Sequence, residues 1–174
     1  MRSELRRAAV VLVGVALAGI VLGLLWLWLA PRVPLVSNGK AVFSADTEGE
    51  EAAGVDGTFV LLALGFGVLS AAVVFWLNRR GGVATVVALA LGGILGSLLA
   101  WGTGHLLGPE QDVVAQAREV GRGVVFDAPL GLRAKGALLA WPIAAMIVHL
   151  GLTAVFAPRD PEPEWPPPGP DHRG

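Results

Sequence analysis

Val83-Ala-Thr-Val-Val-Ala-Leu-Ala-Leu-Gly-Gly-Ile-Leu-Gly-Ser-Leu-Leu-Ala-Trp101 contains no Asp, Glu, Lys or Arg. As a helix its 19 residues rise about 1.5 Å each, enough to cross a hydrocarbon core roughly 30 Å thick. Ala84, Ala88, Gly92, Gly96, Ala100 and, just beyond the run, Gly104 recur every fourth residue. Residues four apart stand on one face of a helix, so these six form a continuous small-residue groove, which Gly93 and Ser97 widen. Lipid tails are as apolar as leucine, and helices in a bilayer associate through the close backbone approach that small residues permit. The six are therefore the candidate helix-packing residues.

Three more runs without a charged residue lie outward from this one, at 8–30, 58–77 and 136–157. The chain has 174 residues, of which 54 % are apolar and 16 % charged, and its mean hydropathy is +0.65. A soluble protein of this size has too little polar surface to wrap four such helices. The expected fold is an all-α membrane protein, a bundle of four transmembrane helices at 8–30, 58–77, 83–101 and 136–157. Spans two and three are expected to pair antiparallel, because only the short turn 78–82 joins them. Gly14, Ala18, Gly19 and Gly23 in span one, and Ala63, Gly67 and Ala71 in span two, offer further small faces.

Charge placement sets the orientation. Arg2, Arg6 and Arg7 precede span one, and Arg79 with Arg80 fill the turn 78–82; Arg133 and Lys135, just outside span four, dissent. With 1–7, 78–82 and the tail 158–174 inside, 7 basic residues fall on 29 cytoplasmic positions and 6 on 61 external ones. This predicts a multi-pass protein of a bacterial cytoplasmic membrane with both termini cytoplasmic. The first apolar run has 23 residues against about 7 to 15 for a signal peptide, so it reads as a retained anchor. Trp26, Trp28, Trp101 and Trp141 at one interface and Trp76 at the other are expected as belt anchors.

Two external loops, 31–57 and 102–135, are expected to form a small α/β cap. In the first, Val33-Pro-Leu-Val-Ser and Lys40-Ala-Val-Phe-Ser flank Asn38-Gly39, a hairpin signal because both turn positions tolerate positive φ. The segment 46–56 that follows carries five carboxylates, Asp46, Glu48, Glu50, Glu51 and Asp56. Glu51 stands where a calcium loop needs its glycine, so a solvated acidic loop is expected. In the second loop Pro109-Glu-Gln-Asp starts a short amphipathic helix with Val113, Val114, Ala117 and Val120 on one face. Val124-Val-Phe then reads as a strand able to join the hairpin. The tail 158–174 has seven prolines and is expected to be extended and disordered.

Reactive groups are scarce. Without cysteine, disulfide scaffolds, thiol redox chemistry and cysteine-ligated metals are excluded. The charges, 13 basic and 14 acidic, nearly balance, and no nucleic-acid partner is expected. His149 is an ionisable group inside a span, the usual mark of a transport path, but no second one stands in any span to receive a proton. His149 is thus a speculative functional residue. His105 with Glu110 and Asp112 forms only an irregular metal-ligand spacing. No HExxH, GxSxG or phosphate-binding loop occurs. No cofactor, metal or catalytic residue is expected.

Asp56-Gly-Thr-Phe-Val-Leu-Leu-Ala-Leu-Gly-Phe-Gly, Asn78-Arg-Arg-Gly-Gly-Val-Ala, the segment 89–102 and Asp127-Ala-Pro-Leu-Gly-Leu-Arg-Ala-Lys-Gly-Ala-Leu-Leu-Ala-Trp-Pro resemble a family of small four-helix actinobacterial membrane proteins of unknown function. Eleven Arg against two Lys suit a GC-rich genome of that kind. The resemblance covers about half the chain and implies a polytopic cytoplasmic-membrane protein, with no site residues to carry over. The expected role is a non-enzymatic accessory or scaffold subunit of an envelope assembly, with the bilayer and a membrane protein or second copy as partners. The alternative is a component of a small transporter or channel.

Overall fold

A computed structural model describes residues 2–45, 50–78 and 82–156. Asp46 and Glu48 of the acidic loop, Arg79 and Arg80 of the short turn, and the proline-rich tail lie outside the described residues. Four helices are long and apolar enough to cross a membrane: α1 (Arg2–Leu29), α2 (Glu50–Leu77), α3 (Val83–Leu107) and a fourth span, Lys135–Phe156. The fourth opens as a 3-10 turn over Lys135–Leu139; α5 (Ala140–Phe156) completes it, after the short α4 (Val113–Val120). Large apolar side chains such as Leu61, Val73 and Leu150 point outward, while the interior holds Trp26, Trp141, Phe59 and Phe75. A soluble bundle would reverse that distribution.

Packing, not chain order, arranges the helices. α3 lies along α1, α5 joins α3 to α2, and α2 closes the ring against α1. Gly19 faces Gly96 and Gly23 faces Ala100, so α1 and α3 run parallel. Gly67 faces Ala144, and Phe75 faces His149 and Phe156, so α2 and α5 also run parallel. The expected antiparallel pairing of spans two and three does not form: α2 and α3 barely touch. Both small-residue faces of α3 are already occupied, Gly92 and Gly96 by α1 and Gly93 by Pro142 of α5. The turn does not forbid this. Five residues reach about 17 Å, more than the roughly 13 Å diagonal of a bundle whose neighbouring axes lie about 9 Å apart.

Several elements extend past their sequence boundaries. α1 already includes Arg2, Arg6 and Arg7, so the expected N-terminal segment forms its first turns. α2 begins at Glu50, which takes Glu50, Glu51 and Asp56 out of the expected acidic loop. The two glutamates occupy its first turn, where the helix dipole favours negative charge, and Ala52 and Val55 are buried. Pro142 stands in the first turn of α5, beside the 3-10 turn, where a proline is better tolerated than in a helix interior.

At one end of the bundle β1 (Pro34–Ser37), β2 (Val42–Ser44) and β3 (Val125–Asp127) form an antiparallel sheet in the order β2-β1-β3. Leu35 pairs with Ser44 and Phe126, and Val36 with Phe43 and Val125. The hairpin turn is wider than the two-residue Asn-Gly form expected. Residues 38–41 make it, with the Asn38 Oδ1 accepting from the backbone N–H groups of Lys40 and Ala41, both at 2.9 Å. Only Gly39 takes a positive φ, 86°. In α4, Asp112 is the N-cap, its Oδ1 accepting from the N–H groups of Val114 and Ala115 at 3.1 and 2.9 Å.

Candidate functional site

The small-residue groove of α3 is a packing surface with two partners. Ala88, Gly92, Gly96, Ala100 and Gly104 are buried, whereas Ala84 is exposed and Thr85 takes its place at that level. A Cβ on Gly19 would collide with the backbone of Gly96, and one on Gly23 would stand 2.6 Å from the Ala100 carbonyl oxygen. Further along, Gly104 leaves room for the Trp26 ring, and Gly96 leaves room for Trp141. Gly93 and Ser97 are buried as well. Of the other small faces, Ala63, Gly67 and Ala71 are buried in α2, while Gly14 of α1 faces open space.

These glycines explain why two tryptophans are buried within the bundle. Trp26 and Trp141, expected as belt anchors, are fully buried, and among the described residues only Trp28 and Trp76 are largely exposed. A buried indole needs an acceptor for its N–H. Trp26 Nε1 donates to the Val55 carbonyl at 3.0 Å and its ring meets Phe59 edge-on at 5.1 Å. Trp141 Nε1 donates to Ser70 Oγ at 3.1 Å, and its ring meets Phe66 edge-on at 5.3 Å. Sequence reasoning missed Ser70 as an acceptor. Its signal was a hydroxyl inside span two at the depth of the Gly67 face.

His149 is 7 % exposed, and its Nδ1 has no hydrogen-bond partner. Its ring stands edge-on to Phe75 at 6.2 Å, and its carbonyl accepts from Thr153 Oγ1 at 2.8 Å. Among the described residues no ion pair includes it. Ser97 Oγ, near the middle of α3, is also buried without a partner. The three residues drawn as a metal site stay apart in their roles. His105 Nδ1 lies 3.4 Å from the Leu130 carbonyl and its ring stacks on Trp101, Glu110 accepts from the N–H of Gln111, and Asp112 caps α4. Among the described residues no three His, Asp or Glu side chains come together to hold a metal. Lys135 places its ammonium 4.6 Å from the centre of the same Trp101 ring.

The cap is tied to the bundle by a residue the sequence had placed in a loose acidic loop. The Asp56 carboxylate accepts from the N–H groups of Arg133 and Ala134 at 3.1 and 2.8 Å, fixing the approach to the fourth span. Arg32 pairs with Asp127 at 3.2 Å, linking the chain before β1 to β3. Directly paired residues of an antiparallel sheet share a face. Leu35, Ser37 and Phe126 therefore line one face, and Ser37 and Phe126 are buried there. The other face presents the row Phe43, Val36, Val125, with Phe43 51 % and Val125 58 % exposed. This is an apolar row across the outer sheet face, beyond the ends of the apolar spans.

No family model, curated protein or solved structure matches the chain.

Proposed function

We propose that the chain is a multi-pass protein of a bacterial cytoplasmic membrane, of the actinobacterial kind its sequence resembles, with both termini in the cytoplasm. Its role in this reading is that of a non-enzymatic accessory or scaffold subunit, docking through its external cap to a larger envelope assembly. The observation that carries it is the apolar row Phe43, Val36 and Val125, which has no lipid to face if the four spans define the bilayer. Exposed apolar surface outside a membrane marks a protein contact. The tightly filled interior supports the same reading, since Trp26, Trp141, Phe59 and Phe75 occupy the space a conduit would need.

Affinity purification from native membranes after brief crosslinking tests it. A stoichiometric partner is expected, lost when Val125→Asp and Phe43→Asp are introduced together. A solitary monodisperse species in mild detergent, with no crosslinked partner, overturns it.

A second reading, a component of a small transporter or channel, draws on the unpartnered Nδ1 of buried His149. Under that reading His149→Ala abolishes transport in vesicles. Wild-type behaviour of the variant removes it.

A further inference from the structure

Near the sheet, α1 and α2 meet where Trp26 rests on Phe59 and bonds to the Val55 carbonyl. Towards the other end they part, leaving an apolar groove of about 360 Å³. Gly14 and Ala18 line one wall, Leu69 and Val73 the other, and Trp141 and Ser70 also border it. An added Cβ at Gly14 meets nothing within 4 Å, so the missing side chain is space and not a packing contact. Val10 lines both this groove and an adjoining recess formed by Arg2, Ser3, Arg6 and Arg7. The apolar slot and the recess lined by the three arginines therefore adjoin at Val10.

Those arginines have no carboxylate partner among the described residues, where the one ion pair is Arg32 with Asp127. Glu4, the acid of the same turn, reaches towards Gly82 at the start of α3, its Oε1 3.8 Å from where a Cβ would stand there. An apolar slot that ends at basic side chains matches the two halves of one lipid, hydrocarbon in the slot and an anionic headgroup on the arginines. Guanidinium groups bind phosphate through paired N–H donors, and basic residues clustered at the cytoplasmic end of a span attract anionic headgroups.

We propose that the groove between α1 and α2 holds an acyl chain of one anionic phospholipid, whose phosphate rests on Arg2, Arg6 and Arg7. The site rests on the membrane reading of the four helices and is independent of the accessory-subunit reading. Gly14 is a specificity residue here: it leaves the slot open.

Native mass spectrometry of the full chain in mild detergent, titrated with phosphatidylglycerol and with phosphatidylcholine, tests it. The wild type is expected to retain one phosphatidylglycerol, bound about tenfold more tightly than phosphatidylcholine, a difference of about 1.4 kcal/mol. Arg6→Gln with Arg7→Gln keeps a single lipid but loses the preference, and Gly14→Leu loses the lipid of either kind. If Gly14→Leu fails to fold, Leu69→Trp fills the slot from the opposite wall and must have the same effect. Equal affinity for the two lipids, or a lipid retained by the filled variants, overturns the site. A photo-crosslinker at Val73 gives an adduct of lipid mass if the occupant is a phospholipid; a peptide adduct, from this chain's tail or another protein, overturns it. A chain recovered in the soluble fraction before any lipid is added removes the membrane reading itself.

Discussion

The two parallel helix pairs solve the same packing problem in opposite ways. α1 and α3 bring backbone against backbone, with Gly19 on Gly96 and Gly23 on Ala100. Along α2 and α5, by contrast, one small-residue contact, Gly67 against Ala144, is followed by rings, Phe66 and Phe75 meeting Trp141 and His149. At Gly19 and Gly23 of the first pair an added Cβ collides with backbone; around Trp141 of the second, a removed ring leaves a void. Trp141 connects them, since its ring lies on Gly96 of α3 while its N–H is held by Ser70 of α2.

The largest expected effect breaks both pairs at once. Trp141→Ala removes a fully buried ring and leaves a cavity between α2, α3 and α5. A loss of about 3–5 kcal/mol is expected, measured by denaturant unfolding in detergent micelles. A loss under about 1 kcal/mol would mean that the ring is not a core element. Gly19→Leu separates the two kinds of pair, because it pushes a side chain into the Gly96 backbone. Overpacking of this kind destabilises by about 1–3 kcal/mol, and the upper end is expected where the obstacle is backbone. Crosslinking between α1 and α3 should fall in parallel, while crosslinking between α2 and α5 should persist.

Asp56→Ala acts outside both pairs. Removing an acceptor of two backbone N–H groups costs about 1 kcal/mol, and the local readout is faster hydrogen exchange at Arg133 and Ala134 with the bundle intact. The smallest effect is the sharpest control. Gly14 lies on the same helix as Gly19 but faces open space, so Gly14→Leu should cost no stability, and the removal of a glycine from a helix interior favours it by up to about 1 kcal/mol. A large loss there would show that α1 and α2 close over the groove.

The sequence by itself determined the four long apolar helices, because a run of about 20 apolar residues without charge is long enough to cross a bilayer and, as a helix, satisfies its backbone within the segment. It also determined the hairpin, the third strand and the capped helix α4, whose signals are local: Asn38-Gly39, Val124-Val-Phe and Pro109-Glu-Gln-Asp. Gly92, Gly96, Ala100 and Gly104 were legible as a groove because helical periodicity alone aligns them. What only the tertiary structure decided is which helix fills that groove. Periodicity names a face but not its partner, and the short link 78–82 constrained the ends of α2 and α3 without making them neighbours. The same limit hid Trp26 and Trp141, which look like interface anchors until glycines on another helix are seen to make room for them. It also hid Asp56, whose partners Arg133 and Ala134 are separated from it by 77 and 78 residues. Contacts between distant segments depend on how faces of similar composition are matched in space, and that choice belongs to the packed whole.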